Sequence, residues 1–182
     1  MNDCSTDNCI PLLIQQNRGG PDFFNRSWAE FKAGFNDSRG NYWLGNELLH
    51  QLTDRNGANF YKLRFDLQSR RNLSWYYAEY RSFVVYSEAK NYQILVADYS
   101  GNAGDAFGSH DGRRFTTYDR DNDLRTDINC AAFNGGGFWY VGNTACASSY
   151  VNSDRTDVGD GFKWYTPEKS FYLQSTRMWL TC

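Results

Sequence analysis

The chain has 182 residues, of which 18% are aromatic, three are prolines and 16 are glycines, which suits one globular domain able to bury its own core. Nineteen Lys and Arg against 21 Asp and Glu leave a formal charge of -2, so no basic field recommends a nucleic-acid partner. No apolar stretch approaches a membrane span, which speaks against membrane insertion, and thirteen Tyr, thirteen Phe and six Trp supply the core.

Residues 1–10 read as a polar, cysteine-bearing tail with no signal-peptide pattern, and Met1 reads as a start added to a mature secreted protein. Ser27 is a good N-cap for Trp28-Ala29-Glu30-Phe31-Lys32-Ala33, and Gly34 ends the predicted short helix. A second short helix is predicted from Asn46, as its cap, to Leu52, with Leu48, Leu49 and Leu52 at helical spacing. Tyr61, Leu63, Phe65 and Leu67 alternate with Lys62, Arg64 and Asp66, the pattern of a half-buried strand. Arg70-Arg71 reads as a solvated turn. Trp75 to Tyr80, Phe83 to Tyr86 and Tyr92 to Ala97 read as further strands separated by polar turns, and their proximity predicts an antiparallel meander. After Ala97, glycines and acidic residues predict long loops until Phe171 to Trp179 returns as a strand. No linker or repeat divides this α+β chain, so residues 1–182 are read as one domain.

Inside the loop-rich part, Asp119-Arg120-Asp121-Asn122-Asp123-Leu124 sets three carboxylates at alternate positions, oxygen ligands for a hard cation such as calcium. An EF-hand is a poor fit, because Leu124 stands where that loop needs its turn glycine and Cys130 where it needs a bidentate glutamate. On spacing alone, an acidic, solvated turn held by Asx interactions is an equal reading. Two histidines, His50 and His110, and no paired CxxC leave zinc little support. The triplets Asn25-Arg26-Ser27, Asn36-Asp37-Ser38 and Asn72-Leu73-Ser74 agree with secretion.

Several ordered stretches carry a resemblance over most of the chain. Asp22 to Phe35 looks like "DFYRxWxxYKxGF", Gly40 to Thr53 like "GEFWLGNxxIHxLT", and Ala78 to Phe83 like "AxYxxF". Gly101 to Ala106 and Phe115 to Asp119 match "GxAGDS" and the start of "FSTxDxDND". Together they resemble the fibrinogen C-terminal-like domains, the recognition modules of ficolins, tachylectins and related invertebrate lectins. The resemblance implies a single such domain, with a twisted antiparallel sheet, short helices and a loop-rich C-terminal part that binds calcium and ligand. It pairs Cys130 with Cys146, a short loop whose closure is worth about 3 kcal/mol. Cys4, Cys9 and Cys182 then remain, an odd number that leaves one thiol for an interchain bond if another pair ties the termini together. For calcium it implies the side chains of Asp121 and Asp123 and the backbone carbonyls of Arg125 and Asp127, with Asp119 behind them. Both histidines fall in scaffold segments, so a nucleophile–base set is missing and no enzyme is expected.

In the lectin members an N-acetyl group enters a pocket beside the second cysteine, preceded by a cis peptide that corresponds here to Ala145–Cys146. Carried over, Phe133 is an aromatic wall, and Cys146 and Ala147 supply N–H donors. Val158 and Gly159 replace a Tyr-Ala wall before Asp160-Gly161-Phe162-Lys163-Trp164. Lys169 falls near a position where some acetyl binders carry tryptophan. One reading places Arg155 or Lys169 to meet a carboxylate, which favours sialic acid, and the other, preferred for either residue taken singly, makes it a surface charge on a variable loop. Tyr150 either stacks on a sugar face or covers the core. The chain departs from the pattern at Ala147, where the family has histidine, and at Tyr150-Val151-Asn152-Ser153-Asp154, where it has "NLNG". The implied function is a secreted lectin for acetylated glycans or glycoproteins, with sialic acid or N-acetylglucosamine as ligand, acting in innate recognition or agglutination. A homo-oligomer is expected, because single sugar sites bind weakly, and a spare cysteine offers a disulfide link. The alternative is a protein-binding signalling or clotting-type module of the same fold.

Overall fold

Alternation of apolar and polar residues builds the frame. The computed structural model describes residues 10–20, 22–54, 61–142, 145–153 and 161–181. Their elements in chain order are β1 (Leu12–Asn17), α1 (Trp28–Ala33), β2 (Phe35–Asn36), β3 (Tyr42–Trp43), α2 (Asn46–Thr53), β4 (Lys62–Ser69), β5 (Trp75–Val85), β6 (Ile94–Gly101), α3 (Cys130–Asn134), β7 (Lys163–Tyr165) and β8 (Ser170–Thr181). The strands form one sheet in the order β2-β3-β1-β8-β4-β5-β6, with β7 pairing the start of β8. Every pairing is antiparallel, and β8 lies between β1 and β4.

In β4 the predicted alternation holds: Leu63, Phe65 and Leu67 are fully buried. The expected meander is β4-β5-β6. Its two predicted middle strands are one, because β5 runs unbroken through Arg81 and Ser82, where Ser82 pairs with Ala97 although the buried positions shift from Ala78 and Tyr80 to Phe83 and Val85. The expected loop-rich stretch follows β6. β1 carries Gln15 and Gln16 and was not anticipated as a strand. It lies inside the sheet because fully buried Gln15 donates its amide to Val151 O, Asn152 Oδ1 and Thr176 Oγ1, so burial leaves that amide satisfied.

Helix α1 starts as predicted. Ser27 Oγ accepts the Glu30 N–H, and the Glu30 carboxylate accepts the Ser27 N–H at 2.9 Å, a capping box that buries Trp28 and Phe31. At Gly34, with φ +89°, an added Cβ would lie 2.5 Å from Leu44 O, so the chain leaves the helix through a contact only glycine permits. Helix α2 differs from expectation. Gly45 holds the cap position, while Asn46 is buried inside the first turn and accepts the Trp43 indole N–H at 3.1 Å. Leu49 is buried and Leu52 packs on the core, but Leu48 is exposed, so the three leucines do not share one face.

Aromatic rings fill the space between the sheet and the loops. Trp139, Trp43 and Trp164 are fully buried, and Trp139 packs against Phe115 at 5.1 Å and Trp43 at 6.0 Å. Each indole N–H is satisfied by a carbonyl: Trp139 on Tyr92 O, Trp43 on Phe31 O and Trp164 on Gly104 O.

Candidate functional site

The acidic run folds into a loop held by its own side chains. Asp119 Oδ1 accepts the Trp28 N–H at 2.9 Å and the Thr117 hydroxyl at 2.7 Å, which ties the loop to the first turn of α1. Asp119 therefore fastens the loop to the scaffold. Arg120 lies 4.0 Å from the Trp28 ring centroid and donates to Asn91 Oδ1, and Asn122 donates to Phe115 O. Each contact fixes the run against a different part of the core.

Asp121 and Asp123 then face one another. Asp121 Oδ1 accepts the Asp123 N–H, while the two oxygens of Asp123 accept the N–H groups of Arg125, at 2.7 Å, and Cys130, at 2.9 Å. Burial, above all, holds the Asp123 carboxyl above its ordinary value, and the neighbouring Asp121 charge adds to it, against the pull of the two N–H groups. Two carboxylates crowded in this way suit a hard cation. No group of three or more His, Cys, Asp or Glu side chains able to hold a metal occurs among the described residues, so a cation here would take further oxygens from backbone carbonyls. The Arg125 guanidinium pairs with the Asp127 carboxylate, occupying that carboxylate's oxygens.

The same loop leads into the disulfide. Cys130 opens α3 and is joined to Cys146 with Cα atoms 5.6 Å apart, as the resemblance implied. Asn129 Oδ1 caps that helix through the Ala132 N–H. Phe133, one turn beyond Cys130, is 44% exposed. Val141 N–H donates to Cys146 O at 2.8 Å, and Gly142, with φ +69°, comes so near the acidic loop that a Cβ would lie 2.3 Å from Leu124 N. Acidic loop, disulfide and the Phe138-Trp139-Tyr140 segment thus form one packed unit.

Around Cys146 the geometry departs from the expected pocket at the preceding peptide bond, at Ala147 and at Lys169, and it decides the open reading of Tyr150. The Ala145–Cys146 bond is trans, since no described peptide bond is cis. The Ala147 N–H, expected to hold an acetyl oxygen, donates to the Tyr150 hydroxyl at 3.0 Å. Tyr150 itself is 4% exposed, so it covers the core and offers no open face to a sugar. The Cys146 N–H donates to no described residue. Lys169 turns away toward the sheet, its ammonium 2.7 Å from Asn102 O and 4.1 Å from the Tyr76 ring centroid. Arg155, Val158 and Gly159 lie outside the described residues, as do Cys4, Cys9 and Cys182.

One neighbour of the site was missed from sequence. Arg113, Arg114 and Tyr140 line a cleft of about 210 Å³ that reaches the acidic loop through Asn122 and Leu124. The buried Arg113 Nε has no acceptor among the described residues. The adjacent basic pair just before Phe115 was the signal. The two histidines are scaffold, as expected: His50 contacts Val85 O, and His110 is fully buried between Trp139 O and the Ser149 N–H, where desolvation pushes its pKa down to about 4.

The pattern of the family described as fibrinogen beta and gamma chains, C-terminal globular domain, matches residues 1–181. Techylectin-5A of Tachypleus tridentatus is 35% identical over 170 residues, spanning 89% of this chain and 56% of that protein. The fibrinogen-like globe domain of human ANGPTL2 superposes with a TM-score of 0.80 at 35% identity, covering 98% of this chain and 82% of that one. Lamprey fibrin D-dimer, solved with the peptide ligand Gly-His-Arg-Pro-amide, gives a TM-score of 0.75 at 28% identity over 93% of this chain and 60% of that one. The chain spans about half the length of the relatives it matches by sequence. No described helix is long and apolar enough to cross a membrane. With its motifs, its antiparallel sheet, its disulfide and these likenesses together, the chain belongs to the fibrinogen C-terminal domain family.

Proposed function

We propose that this domain is a secreted, non-enzymatic lectin for acetylated glycans, binding beside the Cys130–Cys146 disulfide. The carrying observation is the pairing of an N–H with no described acceptor, on Cys146, with the exposed ring of Phe133, which follows the partner cysteine by one helical turn. An acetamido group needs a donor for its oxygen and an apolar wall for its methyl, and these two groups supply both. The similarity to a protein named as a lectin supports the same reading. Sialic acid and N-acetylglucosamine share the acetamido group, and the Arg113 and Arg114 cleft beside the acidic loop suits the carboxylate of the former. Calcium, held by Asp121 and Asp123 with the carbonyls of Arg125 and Asp127, neutralises the crowded carboxylates and braces the loop whose Asp123 accepts the Cys130 N–H. Agglutination follows if several copies assemble, each with a weak site.

A glycan array with matched acetylated and de-acetylated sugars, run with and without chelator, tests this. Among neutral sugars, binding confined to the acetylated members and weakened by chelator is expected. If Asp121→Ala with Asp123→Ala leaves stability and sugar affinity unchanged, the calcium assignment is wrong. A folded protein that binds no glycan supports the second reading, a protein-binding module. That reading draws on the likeness to the lamprey fibrin domain, solved with a peptide ligand, and to the ANGPTL2 globe.

A further inference from the structure

We infer that the turn joining β4 to β5 carries a second glycan site, for saccharides bearing carboxylate or sulfate groups. Arg70 and Arg71 from that turn, Lys169 from the approach to β8, and the rings of Tyr76, Phe171 and Tyr172 line a cleft of about 520 Å³. That volume falls within the range of about 300–1,000 Å³ usual for small-ligand sites. No carboxylate of the described residues lines the cleft, and none forms an ion pair with Arg70, Arg71 or Lys169. Three cations line one cleft with no counter-charge among the described residues. An acidic ligand would supply it, and guanidinium groups favour planar carboxylate and sulfate oxygens through paired N–H donors.

The cleft is held in shape before any ligand arrives. The Arg70 N–H donates to Tyr172 O at 2.8 Å, Ser69 N–H to Ser74 O at 2.9 Å, and Leu73, with φ +57°, donates its N–H to Ser69 O at 2.9 Å. The turn is therefore closed by backbone bonds on both sides of the arginines. On the facing wall the Lys169 ammonium rests on the Tyr76 ring, and Tyr76 packs against Phe171 at 4.9 Å. Tyr172, 52% exposed, presents an apolar surface beside this charge. Aromatic surface next to cations is what an acidic sugar requires, because its ring has apolar C–H faces and its edge carries the anion. A nucleic acid or an anionic membrane is a poorer match, since the chain as a whole is net negative at -2 and the basic cluster is confined to this cleft. Phe133, Cys146 and the acidic loop do not line it, so this site stands apart from the acetyl site.

Calorimetric titration of the unglycosylated full chain tests the inference. Unglycosylated protein is needed because Asn72, in the triplet Asn72-Leu73-Ser74, also borders the cleft. The ligands are a fully N-sulfated heparin octasaccharide, an oligogalacturonate octasaccharide with carboxylates and no acetamido group, and a neutral chitin oligomer. One or both acidic saccharides are expected to bind, more weakly at high salt, and the stronger of the two identifies sulfate or carboxylate as the preferred group. Arg70→Ala with Arg71→Ala should lower that affinity at least tenfold with an unchanged melting temperature. Arg39→Ala, a surface cation elsewhere, and Phe133→Ala should leave it intact. The inference is overturned if neither acidic saccharide binds, if the double variant binds like the parent, or if Arg39→Ala loses as much. Retention on phosphatidylserine vesicles without saccharide binding overturns it as well. Acetylated neutral sugars, read in the same titrations, report on the acetyl site alone, so either site can fail while the other stands.

Discussion

The sheet and the loop-built half are stabilised by different means. In β4, β5, β6 and β8 the backbone pairs along long ladders, and side chains have only to be apolar on the inner face. In the loops after β6, order depends on single side chains reaching distant backbone. Tyr80 Oη binds Asp105 and accepts the Phe107 N–H, Asp119 accepts from Trp28, and Asn152 donates to Gly137 O. A ladder tolerates substitution because neighbouring bonds share the load. A loop held by individual contacts fails at each of them, which makes it sensitive and also able to carry a shaped site.

The largest expected effect lies where the halves meet. Trp139 touches Trp43, Phe83, Phe107, Phe115 and Phe138, so Trp139→Ala should cost about 3–5 kcal/mol in denaturant unfolding. A cost below 1 kcal/mol would show that the halves are not cooperatively joined. Replacing both Cys130 and Cys146 by alanine should cost about 3 kcal/mol. Hydrogen exchange should then quicken across residues 119–150 while amides of β4 to β6 stay protected. Uniform loss of protection would contradict the division between the halves.

Acid offers a similar comparison. His110 titrates in the fold at about 4, well below its unfolded value near 6.5, so in that window the unfolded chain binds the extra proton. Its contribution is fully present above about pH 6.5 and is lost as pH falls toward 4, to a total of about 3 kcal/mol. His110→Gln should flatten that part of the stability profile, and an unaltered slope would assign it to other groups. The smallest effect is expected at Asp119→Ala, which frees the Trp28 N–H and the Thr117 hydroxyl and should cost about 1–2 kcal/mol. If Asp119→Ala also abolished calcium binding, Asp119 would be a ligand and not part of the scaffold.

Much of the fold was legible in sequence where a local pattern suffices. The capping box at Ser27 and Glu30 depends only on residues three apart, and the alternation of β4 only on residues two apart. The division of β5 into two strands was wrong because polar Arg81 and Ser82 resemble a turn until β6 is seen pairing alongside. Of the site, the acidic run and the two cysteines could be read from motifs. The loss of the Ala147 donor could not, because it depends on Tyr150 folding back three residues to meet it.

The sequence by itself determined the family, the aromatic core, the first helix and the Cys130–Cys146 pair, since each is written in contiguous residues or ordered motifs. Only the tertiary structure decided that β1 lies inside the sheet, that Tyr150 is covered, and that Lys169 joins Arg70 and Arg71 in one cleft. The physical reason is the same in each case. Gln15 becomes a core residue only when Asn152 and Thr176 come to bond it, and Lys169 meets the arginines only because β8 pairs with β4 across about a hundred residues of chain.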